Sequence, residues 1–118
     1  MDAKYEVRVT AVGKDARTFL YSNKSFILMD EKLRPNLADM VVQHTVAELT
    51  EDIVPGDRLK VGNTDFSVEK VGATVNANLR DGGHCTVVVN GQANMPGQIA
   101  VKGPVIPRLR EGDMIIFY

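Results

Sequence analysis

The sequence predicts an all-β domain of short strands, closed as a barrel or stacked as a sandwich, with one or two short helices added. Three observations carry this. Apolar residues recur at every second position in several separate runs, each run is short, and glycine or proline stands at the boundaries between them.

Tyr5, Val7, Val9 and Ala11 alternate with Glu6, Arg8 and Thr10, the pattern of a half-buried strand. A short helix is expected from Asn36 to Val41, because Pro35 discourages earlier helix and Asn36 can cap a first turn. Val42 to Val46 is apolar and extended. After the Pro55-Gly56 turn, a hairpin is expected from Arg58 to Val71, with Leu59, Val61, Phe66 and Val68 on one face and Gly62-Asn63 as the tight connection. A second helix, Val75 to Asp81, should end where Gly82 turns left-handed, before His84 opens the strand Cys85 to Val89. Asn90-Gly91 and Pro96-Gly97 precede a strand through Ile99 and Val101, and Gly103-Pro104 and Glu111-Gly112-Asp113 supply later turns. No internal repeat, heptad or linker is evident, so residues 1–118 are expected to form a single domain.

The totals exclude several classes of function. Fourteen Lys and Arg stand against fifteen Asp and Glu, a net charge of -1, with the cations scattered, which disfavours nucleic acid as a partner. The one cysteine, Cys85, lies among valines and reads as a buried thiol, consistent with a reducing compartment. The start has no basic segment leading into an apolar stretch, and runs such as Phe26-Ile27-Leu28-Met29 are too short to cross a bilayer. A cytoplasmic location without direct membrane insertion is the expectation.

Two histidines hold the remaining chemistry. His44 shares a strand face with Val42 and Val46 while Gln43 and Thr45 face away. On periodicity it reads first as a core or rim histidine with satisfied ring nitrogens. The alternative uses the lone pair of a neutral imidazole as a nucleophile, which apolar flanks favour by disfavouring the charged ring. Glu48 is too far along the strand to pair with it. His84 follows Gly82-Gly83 and reads equally as a turn residue or a site residue, since adjacent glycines allow close backbone approach. Neither histidine has a metal-ligand spacing, and no cofactor is implied. A Gly-x-Ser-x-Gly turn is absent, and Cys85 is too apolar in its surroundings for a nucleophile.

The segment Val42-Gln43-His44-Thr45-Val46-Ala47-Glu48-Leu49 resembles the active-histidine segment of the glucitol/sorbitol-specific enzyme IIA components of the bacterial sugar phosphotransferase system. Further matches follow in order: Pro55-Gly56, Gly62, Val71-Gly72, Asn78-Leu79-Arg80, Gly83-His84, Pro96-Gly97, Val101, Gly103-Pro104-Val105 and Gly112. The resemblance runs from about Val41 to the C-terminus. Some members carry a second histidine two positions after the active one, where this chain has Val46, leaving His84 as the histidine able to assist.

This resemblance implies a phosphocarrier. His44 would accept a phosphoryl group from the phosphohistidine of HPr and pass it to the glucitol/sorbitol-specific IIB component, while a IIC component moves the sugar. His84 is the first expected phosphate-stabilising donor, with Thr45, Arg80 and backbone N–H groups behind it. Apolar residues around an exposed His44 would form the docking patch. The rival reading is a non-catalytic β-barrel regulatory or interaction module.

Overall fold

Alternation closes on itself in the computed structural model, which describes residues 3–32 and 38–118. The strands are β1 (Tyr5–Val12), β2 (Ser25–Asp30), β3 (Val41–His44), β4 (Arg58–Val61), β5 (Thr64–Val71), β6 (Cys85–Val89), β7 (Gln98–Lys102) and β8 (Met114–Phe117). They form one closed barrel in the order β1-β3-β2-β6-β7-β5-β4-β8. Closure leaves the described strands no exposed sheet edge. Inward residues, among them Val7, Val9, Leu28, Leu59, Phe66, Val87, Ile99 and Phe117, pack into a continuous core. The β4–β5 hairpin turns at Gly62-Asn63 as the sequence predicts, with Gly62 at φ 58°.

Two helices, α1 (Ala16–Asn23) and α2 (Val75–Gly82), pack on the barrel. The sequence pattern does not reveal α1: it buries only Ala16 and Leu20, and Tyr21 is exposed, so its apolar periodicity is faint. The second helix forms where expected but runs through Gly82, and Gly83 takes the left-handed position, its N–H returning to the carbonyls of Asn78 and Leu79. The expected helix from Asn36 to Val41 is corrected in part. Asn36 and Leu37 lie outside the described residues, Ala38–Met40 is a 3-10 turn, and Val41 already belongs to β3, held in parallel register with Ile27 of β2.

The barrel is an internal duplication, which corrects the expectation of no repeat. Residues 59 apart occupy equivalent places: Val9 and Val68, Val12 and Val71, Gly13 and Gly72, Leu20 and Leu79. Each half runs strand, glycine, helix, strand, and then a strand that pairs parallel with the one before it. The bulges match, lying between Val9 and Ala11 in β1 and between Val68 and Lys70 in β5. Gly13 and Gly72 match too, because a Cβ at either would meet backbone at 2.3 Å. Gly56 N–H donates to Val68 O as Gly112 N–H donates to Val9 O, both at 2.8 Å. The β4–β8 pairing, Leu59 with Phe117 and Val61 with Ile115, maps onto itself. Few identical residues survive between the halves, so the repeat shows in hydrogen bonds more clearly than in letters.

Cys85 is fully buried, as its valine neighbours predict, and burial pushes its thiol from 9.0 up to about 12. In the unfolded chain the thiol ionises first. Its stabilising contribution is therefore complete below pH 9 and is lost as pH rises toward 12. Native protein at pH 8 should leave Cys85 unreacted toward an aromatic disulfide reagent, with stoichiometric reaction after denaturation. Rapid labelling of the native protein would show that the barrel opens at β6.

Candidate functional site

His44 is the last residue of β3, between Val9 of antiparallel β1 and Asp30 of parallel β2. The strand end is firmly held. Thr45 N–H donates to Arg8 O at 2.9 Å, Arg8 N–H donates to Thr45 Oγ1 at 3.0 Å, and Glu31 N–H donates to His44 O at 2.7 Å. Val42 and His44 share the inward face as alternation requires, but the chain leaves the strand after His44, and Val46 is 51% exposed.

The expectation of an exposed His44 is corrected: its side chain is 0% exposed. Nδ1 lies 2.8 Å from Thr45 O and Nε2 lies 2.9 Å from Gly83 O. Carbonyl oxygens only accept, so a neutral ring donates to one of them and turns its lone pair toward the other. One hydrogen bond thus holds the ring in the closed barrel and a carbonyl oxygen covers its other nitrogen, so neither nitrogen is open to attack.

Three side chains converge on Gly83. A Cβ there would lie 2.7 Å from His44 Cε1, 2.8 Å from Tyr5 Oη and 2.9 Å from Asp30 Cβ. The Tyr5 ring meets the imidazole edge-on, with centroids 6.0 Å apart. Its buried hydroxyl has no hydrogen-bond partner among the described residues. Burial first, then the negative charges of Asp30 and Cys85, pushes the phenol from 10.0 up to about 12, so Tyr5 keeps its proton at neutral pH. Asp30 is 6% exposed, and its Oδ1 accepts from Lys32 N–H at 3.0 Å.

Sequence reasoning missed Tyr5, Asp30 and the Gly83 carbonyl. A signal for Asp30 was present, since period two places it on the face of buried Phe26 and Leu28. His84 is brought near through its neighbour Gly83, but no hydrogen bond among the described residues joins the two imidazoles. Its N–H donates to Asn78 O at 3.3 Å, and its side chain is partly exposed. Arg80 is engaged elsewhere, in a surface ion pair with Asp52 at 2.7 Å that contributes little to stability. Thr45 spends a lone pair on Arg8 N–H and keeps its own hydroxyl proton free to donate. No helix among the described residues is long and apolar enough to cross a membrane.

A buried imidazole, a phenol and a carboxylate around one glycine, at one end of a duplicated barrel, can be compared with known proteins. The family model of the PTS system glucitol/sorbitol-specific IIA component matches residues 4–116. Relatives named PTS system glucitol/sorbitol-specific EIIA component, from Shigella flexneri and Escherichia coli (strain K12), are each 29% identical over 119 residues, covering 99% of this chain and 96% of the relative. A solved structure, that of the PTS system IIA component from Enterococcus faecalis V583, superposes with a TM-score of 0.84 at 26% identity, covering 93% of this chain and 96% of that one. The chain belongs to the family of glucitol/sorbitol-specific IIA components of the phosphotransferase system.

Proposed function

We propose that this phosphotransferase component carries its phosphoryl group on His44, taking it from the phosphohistidine of HPr and passing it to the glucitol/sorbitol-specific IIB component in the cytoplasm. The observation that carries this reading is the duplication. The positions equivalent to His44 and Asp30 are Val101 and Val89, both buried and in the same parallel register. The barrel is therefore built equally well with hydrocarbon at these places, and a buried histidine is there for its chemistry.

The geometry suggests how the ring works. In the tautomer that serves the reaction, Nδ1–H donates to Thr45 O and the Nε2 lone pair meets the Gly83 oxygen, two acceptors that repel each other. Withdrawal of the Gly83 carbonyl frees that lone pair. As Nε2 attacks phosphorus, the bond from phosphorus to the donor's ring nitrogen breaks and its electron pair stays on that nitrogen. No proton need move, provided each ring keeps the proton on its other nitrogen, and Thr45 O stabilises the positive charge that develops on His44. His84, adjacent to the carbonyl that withdraws, is the assisting donor to the phosphoryl oxygens. His84→Ala should slow transfer by about tenfold with stability nearly unchanged; unaltered kinetics and phosphohistidine lifetime would remove it from the mechanism.

The burial of His44 favours a second reading, a non-catalytic interaction module in which the imidazole stays covered. Intact-protein mass after mixing with phosphoenolpyruvate, enzyme I and HPr separates the two. One added, acid-labile phosphate, mapped to the peptide containing His44, is expected. A folded, unmodified chain beside charged HPr would establish the module instead.

A further inference from the structure

We propose that the Tyr5 hydroxyl is a catalytic hydrogen-bond donor to the phosphoryl group on His44, an inference that rests on the phosphocarrier reading above. A buried hydroxyl without a partner is destabilising, and proteins satisfy the large majority of such groups. Phenylalanine would fill the same space without that cost. The chain nonetheless keeps a phenol here, 1% exposed and without a hydrogen-bond partner among the described residues, with its oxygen beside the same space at Gly83, where an added Cβ would lie 2.8 Å from it and 2.7 Å from His44 Cε1.

Of the two ring nitrogens it is Nε2 that meets Gly83, at 2.9 Å from its carbonyl oxygen, so a group added at Nε2 enters at the residue beside which the hydroxyl ends. The partner missing from the resting barrel is then supplied by a phosphoryl oxygen, and O–H···O⁻ bonds of this kind are short and strong. With its pKa raised to about 12, the phenol donates a hydrogen bond without surrendering its proton, so the balance of bonds in the transfer step is unchanged. The duplication again serves as an internal control. The residue equivalent to Tyr5 is Thr64, in the half that has Val101 and Val89 in place of His44 and Asp30. Phenol, imidazole and carboxylate occur together in one half and are absent together from the other.

Tyr5→Phe tests this directly. Single-turnover phosphate uptake from phospho-HPr, followed by intact mass, should slow by about 10- to 100-fold, and the phosphohistidine should hydrolyse faster, while the urea midpoint stays level or rises. Transfer and lifetime at the unaltered rate would overturn the proposal alone. A lowered urea midpoint would also overturn it, because the hydroxyl would then be paired in the resting fold. Absence of phosphate on the unaltered protein, with HPr charged, would overturn the carrier reading and this inference with it.

Discussion

His44→Gln should take up no phosphate from phospho-HPr, a loss of at least about a thousandfold, because the amide has no nucleophilic lone pair to replace Nε2. Stability should fall as well, since the ring is fully buried between two carbonyls. Gln matches neither the shape of the ring nor the place of its donor, and a cost of about 1–3 kcal/mol is expected for the hydrogen bond and the packing lost. Such a variant by itself confounds chemistry with folding. His44→Val separates them, because valine occupies the equivalent place at Val101 against Val89 and Val68. It should fold with a urea midpoint close to the unaltered protein's and carry no phosphate. Uptake at normal rates by a folded His44→Val chain would move the site to another residue, with His84 the first to test.

Gly83→Ala should be the most damaging of the glycine substitutions around the site, at about 2–4 kcal/mol. Two costs add. The backbone has φ 63°, where a side chain costs about 1–2 kcal/mol, and the new Cβ would press within 3 Å of His44, Tyr5 and Asp30 at once. The other half of the barrel shows which cost matters more. Lys24, equivalent to Gly83, adopts φ 54° with a full side chain, so the left-handed turn alone does not demand glycine. Crowding by the three site residues does. Gly56→Ala is the comparison: φ is 96° but nothing lies within 4 Å, so only the backbone cost of about 1–2 kcal/mol is expected. Urea unfolding of both variants reads the difference. Equal losses would mean that the loop at Gly83 shifts freely, and the Gly83 carbonyl would then cover Nε2 less firmly than its 2.9 Å contact implies. Removing the phenol oxygen should relieve part of the clash, so Tyr5→Phe is expected to recover some of the stability lost in Gly83→Ala.

The fold was largely legible because half-buried strands write their geometry at period two. Tyr5, Val7 and Val9 in β1, Leu59 and Val61 in β4, and Phe66 and Val68 in β5 are inward as the alternation predicts. The hairpin at Gly62-Asn63 was legible for the same reason, with turn chemistry added. What escaped was weakly patterned or nonlocal. Helix α1 buries two residues of eight. The duplication resides in matching bulges, glycine approaches and hydrogen bonds, which many different side chains can accompany.

His44 as the residue of interest, and the family to which the chain belongs, were determined by the sequence itself, because an imidazole at a strand position and an ordered set of motifs are local properties. The burial of His44, its contact with the Gly83 carbonyl and the company of Tyr5 and Asp30 were decided only by the tertiary structure. Those four residues are scattered from position 5 to position 83. They meet because the barrel sets β1, β2 and β3 side by side and folds the end of α2 back over them. Alternation says which way a side chain faces; strand order and closure say what it finds there.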